Sequence, residues 1–196
     1  MSYSPFRKIS RYQSMTDRSE STHGPTAPSP WVLRFSGQIP AGGEVIDIAC
    51  GAGRHGRLLL KNGHPVTFVD IDTSRLDDLG GRSDVAIIET DLETEGFWPF
   101  AGHAYAGVIV TNYLWRPILP AIIELVGPGG LLIYETFAVG NEAFGKPSNP
   151  HYLLKSDELL DAVGDKLEVL EFEQVEIEAP KPAVIQHIAA GNVQAT

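Results

Sequence analysis

Cysteine, long apolar runs and basic charge are all scarce in this chain of 196 residues, and each shortage excludes a class of protein. The single cysteine, Cys50, excludes an intrachain disulfide framework and is typical of a reducing compartment. No apolar run reaches the roughly 18 residues that a membrane-spanning helix needs. The 15 Lys and Arg residues are outnumbered by 25 Asp and Glu, and the net charge of −10 disfavours binding to long nucleic acid. We therefore expect a cytoplasmic protein without a membrane or nucleic-acid partner.

The first part of the chain, residues 1–28, differs in composition from the rest. It is rich in Ser, Thr and Pro and has few aliphatic residues, so it cannot bury enough apolar surface to offset the entropy of ordering. We expect a flexible N-terminal arm here and interpret it as a segment that closes over the active site. The remaining residues, 29–196, are predicted to form a single domain, because a chain of this length fits one domain comfortably.

What the chain does contain is a strand, a glycine turn and a helix in succession, with the sequence VIDIACGAGRHG from Val45 to Gly56. The β-branched run predicts a buried strand, and Gly51 and Gly53 then predict a turn in which the backbone can approach a ligand closely. The helix that follows would present its first N–H groups to the same ligand. One acid, Asp47, lies inside this strand, and a second, Asp70, ends the next apolar run. The pattern predicts a site for a nucleotide-type cofactor.

Apolar runs alternate with helical segments along the whole domain. We predict parallel strands at 44–49, 65–70, 85–89, 105–111 and 131–137, followed by a C-terminal antiparallel hairpin of 167–177 and 184–190. Helices are predicted at 29–37, 54–62, 73–79, 117–126 and 156–164, with a tight turn at 127–130. This order indicates an α/β fold, a doubly wound, mostly parallel seven-stranded sheet of Rossmann-like type. We interpret the loop-like segment 138–153 as a lid over the site.

Two cofactors fit a glycine turn of this kind. The pattern Gly51-x-Gly53-x-x-Gly56, with Asp70 further on, formally satisfies the fingerprint of an NAD-binding domain. Asp47 would lie poorly beside a pyrophosphate but could hold an ammonium group, and Asp91 ends the third strand where an adenine amino group could be bound. The C-terminal hairpin also departs from the dinucleotide-binding order. These features favour a different nucleoside cofactor.

Five segments together resemble the successive motifs of the class I S-adenosylmethionine-dependent methyltransferases. They are VIDIACGAGRHG, VTFVDID, TDLE, VIVTNYLWRP and LVGPGGLLIYETF, and the resemblance covers about residues 29–190. The short chain is also loosely similar to small methyltransferases of the tellurite-resistance type. The resemblance implies S-adenosylmethionine as the cofactor. It places Asp47, Gly51 and Gly53 at the methionine half of the cofactor, Asp70 at the ribose, Asp91 and Leu92 at the adenine, and Thr111 and Asn112 near the sulfonium and its methyl group. Ala49 and Ile71 are also predicted to bind the cofactor.

The acceptor of the methyl group is predicted to be a small molecule. The segment Asn112-Tyr113-Leu114-Trp115 departs from the Asn/Asp-Pro-Pro-aromatic pattern typical of exocyclic-amine methylation in nucleic acids. If the acceptor needs a general base, the candidates at the strand ends are Tyr113, Glu135 and His151. No metal site is predicted. An NAD-linked oxidoreductase, an RNA or protein methyltransferase and a non-catalytic cofactor-binding module remain as alternatives.

Overall fold

A computed structural model describes residues 27–192 of the chain. Its centre is one seven-stranded sheet with the strand order β3-β2-β1-β4-β5-β7-β6. The predicted arm lies outside the described residues except for Ala27 and Pro28, so the flexible-arm interpretation stays a prediction. Within the described residues, no helix combines the length and apolar character that crossing a membrane requires.

The first five strands pair in parallel, and the last two pair antiparallel to each other. Strand β7 lies between β5 and β6 and runs antiparallel to both. This confirms the predicted mostly parallel sheet and its C-terminal hairpin. The strands are β1 (Val45–Ile48), β2 (Val66–Asp70), β3 (Val85–Glu89), β4 (Tyr105–Thr111), β5 (Val126–Phe137), β6 (Glu168–Ile177) and β7 (Ala183–Gly191).

Within residues 27–192, four α-helices flank the sheet: α1 (Pro30–Phe35), α2 (Arg54–Lys61), α3 (Leu119–Glu124) and α4 (Glu158–Val163). Helix α1 begins as predicted, with Pro30 in its first turn and the Ser29 side chain accepting a hydrogen bond from the Trp31 N–H. Helices α1 and α2 cover one face of the sheet over a core that includes Phe35, Leu59 and Phe68. The other face is covered by α3 and α4 over a second core.

Two predicted helices are wrong in type or length. Residues Ser74–Leu79 form a 3-10 helix, and the Thr73 hydroxyl donates to the Glu89 carboxylate rather than capping it. The segment 117–126 divides into a 3-10 turn (Arg116–Ile118) and the short α3, because Pro117 and Pro120 each remove a backbone donor.

The turn predicted at 127–130 and the start of the helix predicted at 156–164 also need correction. Residues 127–130 belong to β5 as a bulge, in which the Gly129 N–H donates to the Asn192 carbonyl rather than closing a tight turn. At α4 the N-cap residue Asp157 is left-handed, with φ +58°, and its side chain makes no capping bond. The Glu158 carboxylate accepts the Lys155 N–H instead.

The strand register places four polar residues in one row across the sheet near its carboxyl edge. Thr111 pairs with Glu135, Glu135 pairs with His187, and His187 pairs with Glu173. Directly paired residues point to the same face of a sheet, so this row lies on the face that α1 and α2 cover. The fold therefore brings polar groups from β4, β5, β7 and β6 together beside the predicted cofactor turn.

Candidate functional site

Asp47 is buried at the end of β1, directly beneath the start of α2. Its Oδ2 accepts the Gly56 N–H at 2.8 Å, whereas its Oδ1 has no hydrogen-bond partner among residues 27–192. Burial is the main cause that raises the pKa of this carboxyl from 3.8 to about 7, against the opposing effects of the Gly56 bond and Arg54. Burying a carboxylate oxygen without a hydrogen-bond partner costs free energy of folding. Oδ1 is therefore suited to bind a cationic or hydrogen-bond-donating group of a ligand.

The turn after β1 has the left-handed backbone that a close approach to a ligand needs. Ala49, Gly51 and Gly53 have φ values of +52°, +57° and +72°. A Cβ at Gly51 would meet only the Arg75 guanidinium, at 3.4 Å, so the space above this residue is open. A Cβ at Gly53 would lie 2.8 Å from the Phe68 ring, so packing of the turn against β2 already requires glycine there.

Asp70, at the end of β2, faces the same turn. Its Oδ2 accepts the Gly51 N–H at 2.7 Å and its Oδ1 accepts the Asp72 N–H at 3.1 Å. A carboxylate has about four lone-pair sites, so capacity remains for two ribose hydroxyls. The next residue, Ile71, is an exposed large apolar side chain beside this carboxylate. Such a residue offers a flat apolar ligand a surface to pack on.

The end of β3 carries the predicted adenine contacts. The Asp91 carboxylate accepts the Glu93 N–H at 2.9 Å, which is the ordinary turn role of an aspartate after a strand, and Leu92 is buried. The Tyr113 hydroxyl is buried without a hydrogen-bond partner in the described part of the chain. Burial raises the pKa of Tyr113, and the nearby carboxylates of Glu93, Asp91 and Asp70 raise it further. Tyr113 therefore lies on the side of the β2 and β3 ends as a protonated phenol.

Thr111 ends β4 and is bonded to a buried histidine. The Ser29 N–H donates to His55 Nε2 at 3.2 Å, which leaves the proton on Nδ1, 3.2 Å from the Thr111 hydroxyl oxygen. Burial, together with the charge of Arg54, lowers the pKa of His55 to about 3, so the ring is neutral. Asn112, the next residue, is exposed and left-handed with φ +54°.

Glu135 lies within a second group of polar contacts. Its Oε2 accepts the Ser29 hydroxyl at 2.9 Å and lies 3.4 Å from His187 Nδ1. His187 Nε2 lies 3.0 Å from Glu173, and its ring stacks on Trp31 at a centroid distance of 3.8 Å. Ser29 thus joins the start of α1 to His55 in α2 and to Glu135 in β5.

His151 lies in an exposed turn, away from these contacts. Its N–H donates to the Asn149 side chain, and its carbonyl accepts a bond from Arg116 at 2.7 Å. Arg116 also binds the Leu153 carbonyl and forms a two-bond ion pair with Glu158, so it fixes the end of the 138–153 segment. The structure brings the predicted cofactor residues together at the carboxyl edge but leaves the three predicted bases in different surroundings.

Sequence reasoning missed Ser29 and His187 as members of the site, and for His55, which the structure buries, it did not choose between solvent exposure and cofactor contact. Their contacts join residues 26 to 106 positions apart, and no local pattern marks them. In the described part of the chain, no group of three or more His, Cys, Asp or Glu side chains could hold a metal ion.

Family models give no match to the sequence, and no curated protein is significantly similar to it. Solved structures do resemble the fold. TehB from Haemophilus influenzae superposes with a TM-score of 0.67 at 19% identity, over 86% of this chain and 63% of that one. The chain therefore spans less than two thirds of the length of TehB. The 1,6-didemethyltoxoflavin-N1-methyltransferase of Burkholderia thailandensis gives 0.63 at 16% identity, over 84% of this chain and 77% of that one.

The chain has the class I methyltransferase fold. This fold confirms the resemblance inferred from the motifs, and its strand order explains the C-terminal hairpin. The dinucleotide-binding order 3-2-1-4-5-6 has no antiparallel strand between its fifth and last strands, whereas this sheet has β7 there. The methyltransferase fold also occurs in the [4+2]-cyclase SpnF, with a TM-score of 0.63 at 12% identity over 84% of this chain and 80% of that one. Fold alone therefore does not fix the reaction.

Proposed function

We propose that this protein is an S-adenosylmethionine-dependent methyltransferase acting on a small-molecule acceptor. The observation that carries the proposal is the carboxyl edge of β1 and β2, where the partnerless Oδ1 of Asp47 and the carboxylate of Asp70 flank an open glycine turn. Oδ1 is suited to an ammonium group, and Asp70 is suited to ribose hydroxyls. The exposed Ile71 beside them is suited to an aromatic base.

S-adenosylmethionine, when bound, supplies a methyl group on a sulfonium, which an acceptor removes by in-line displacement. What the chain adds is position: oriented reactants can lower such a barrier by about 7–11 kcal/mol without acid or base catalysis. His55 holds the Thr111 hydroxyl in place at the end of β4, next to the exposed Asn112. We assign Thr111 and Asn112 to the region of the transferable methyl group.

The three predicted bases differ in what they can do. Because its pKa is raised, Tyr113 is a hydrogen-bond donor at neutral pH rather than a base. Glu135 is engaged by Ser29 and His187, and His151 is exposed in its turn. An acceptor that is already nucleophilic at neutral pH, and needs only orientation, fits this set best. We therefore propose that Tyr113 orients the acceptor.

The cofactor is tested by ligand binding. We expect S-adenosylhomocysteine, the demethylated product, to raise the melting temperature of the full-length protein and NAD to leave it unchanged. Asp70→Ala should weaken S-adenosylhomocysteine binding by about one to two decades, since hydrogen bonds to a charged acceptor contribute about 1.5–3 kcal/mol. The matched control is Asp77→Ala, which removes an exposed acid from the 3-10 helix after β2. Stabilisation by NAD alone, or unchanged calorimetric affinity in Asp70→Ala, would reject the assignment.

A further inference from the structure

Arg57, the fourth residue of α2, joins the glycine turn after β1 to the 3-10 helix after β2. Its Nε donates to the Ala52 carbonyl, in the middle of the turn, at 3.1 Å. On the other side, its Nη2 donates to the Arg75 carbonyl at 3.1 Å. Nη1 and Nη2 also bind the two carboxylate oxygens of Asp78, each at 2.6 Å. One guanidinium therefore makes four hydrogen bonds that connect two separate segments.

A second arginine–aspartate pair shows what is particular about Arg57. Arg82 also makes two bonds to its aspartate, Asp84, at 2.9 and 2.7 Å. Both pairs lie at the surface, since all four side chains are between 34% and 64% exposed. Exposed ion pairs contribute little to folding stability. What distinguishes Arg57 is its bonds to two backbone carbonyls, one in each of the segments that it joins.

The turn that Arg57 holds has little stiffness of its own. Gly51 and Gly53 flank Ala52, and glycine can adopt many backbone conformations. A ligand that binds a flexible turn loses affinity, because the turn must be ordered on binding. Fixing the Ala52 carbonyl beforehand removes part of this cost. The bond from Arg57 thus preorganises the turn.

The 3-10 helix that Arg57 holds borders the same space as the turn. The Arg75 guanidinium, which projects from this helix, lies 3.4 Å from the position that a Cβ of Gly51 would take. The helix follows shortly after Asp70, whose carboxylate accepts the Gly51 N–H at 2.7 Å. The turn and the helix therefore form two sides of one space, and the proposed ribose-binding carboxylate lies between them.

We propose that Arg57 is a positioning residue, which holds the glycine turn and the 3-10 helix at the separation that the nucleoside part of the cofactor requires. This inference rests on the proposed function and adds to it a residue that acts without contacting the ligand. Arg57 acts through the Ala52 carbonyl on one side and through Asp78 and the Arg75 carbonyl on the other. Its loss weakens binding at Asp70 while leaving the two apolar cores intact.

The test is the affinity of the full-length protein for S-adenosylhomocysteine, measured by calorimetry well below the melting temperature. We expect Arg57→Gln to weaken binding by about five- to tenfold, because the ligand must then order the turn and the helix. The melting temperature of the unliganded variant should stay within about 3 °C of the wild type, since an exposed ion pair contributes little to stability. Arg57→Lys should not recover the affinity, because a compact ammonium group cannot bridge the same set of partners.

A double-mutant cycle with Asp70→Ala separates positioning from a purely structural role. If Arg57 acts by placing the turn against Asp70, the effects of the two substitutions on binding are coupled. Arg57→Gln should then weaken binding by less than about twofold in a protein that already carries Asp70→Ala. A purely structural role would lower the melting temperature and leave the affinity at low temperature unchanged.

Arg82→Gln is the matched control, since it removes an exposed two-bond pair that does not contact the turn. It should leave the affinity unchanged. Unchanged affinity in Arg57→Gln, full recovery by Arg57→Lys, or additive effects of Arg57→Gln and Asp70→Ala would each overturn the inference and leave the proposed function in place. Failure of the wild-type protein to bind S-adenosylhomocysteine would reject the proposed function and the positioning role with it.

Discussion

At the residue scale, the ends of two neighbouring strands hold non-glycine residues in left-handed backbone. Ala49 follows β1 with φ +52°, and Asn112 follows β4 with φ +54°. Asparagine adopts this conformation with little penalty, whereas for alanine it costs roughly 1–2 kcal/mol. Strain of this kind persists where the surrounding structure holds it, and both positions border the proposed cofactor crevice.

Ala49→Gly should therefore stabilise the protein by about 0.5–1 kcal/mol, because relief of the left-handed strain exceeds the added entropy of the unfolded chain. Urea unfolding of the wild type and the variant at constant pH measures the difference. Ala52→Gly is the matched control: Ala52 lies in the same turn without a left-handed backbone, so glycine there should destabilise. A loss of stability in Ala49→Gly would show that the backbone at this position is not strained.

At the element scale, the 138–153 segment is fixed at both ends. Asn141, 1% exposed, donates to the Pro147 carbonyl at 2.8 Å and accepts the Val184 N–H at 3.2 Å. At the other end Arg116 binds two carbonyls of the segment, and Leu154 is fully buried. If the segment acts as a lid, its motion is confined to the exposed residues between these two anchors.

Chymotrypsin cleavage after Phe144, which is exposed, reports on this segment. Asn141→Ala should speed cleavage by about tenfold or more, because two part-buried backbone groups lose their hydrogen-bond partner, at about 1 kcal/mol each. Ser148→Ala, an exposed change in the same segment, should cleave at the wild-type rate. S-adenosylhomocysteine should slow cleavage of the wild type. Equal rates with and without that ligand would contradict the lid interpretation.

The strands were predictable from sequence to within a residue or two, except at the start of β5. Apolar runs such as Val85–Glu89, which is only partly buried, and Tyr105–Thr111, which is largely buried, give a continuous signal for a strand. Local structure was not predictable where a local interaction competes with a contact to a distant part of the chain. At Thr73 the side chain could cap a helix or bond the neighbouring strand, and the tertiary contact with Glu89 prevailed. Likewise the glycines of 127–130 read locally as a turn, while pairing with Asn192 extends them into β5.

At the scale of the whole molecule, the sheet separates two apolar cores. The network of polar contacts among Ser29, Glu135 and His187 lies on the face that α1 and α2 cover. The cofactor residues at the strand ends follow from the order of elements, because ligands of such sheets lie at the carboxyl edge. The network does not follow from that order. Ser29, Glu135 and His187 meet only because β7 inserts beside β5 and α1 packs over both.

Two buried groups on that side, His55 and Asp47, have pKa values that burial displaces in opposite directions, so their effects on stability depend on pH in opposite ways. The pKa of His55 is lowered by burial from 6.5 to about 3, so between these values only the unfolded chain binds the proton, and stability rises with pH. The pKa of Asp47 is raised by burial from 3.8 to about 7, so in that window only the folded chain binds the proton, and stability falls as pH rises. Between about pH 3.8 and 6.5 the two effects oppose each other.

Asp47→Asn should remove one of these effects and leave the other. Relative to the wild type, the free energy of unfolding of this variant should rise between pH 4.5 and 6.5, by up to about 1.4 kcal/mol per pH unit. His55→Gln should show the opposite trend, losing stability relative to the wild type over the same range. Urea midpoints at pH 4.5, 5.5 and 6.5 measure both, and taking differences from the wild type cancels the other titrating groups. An Asp47→Asn profile parallel to that of the wild type would mean that Asp47 stays ionised in the folded protein, and the ammonium site would then be charged throughout this range.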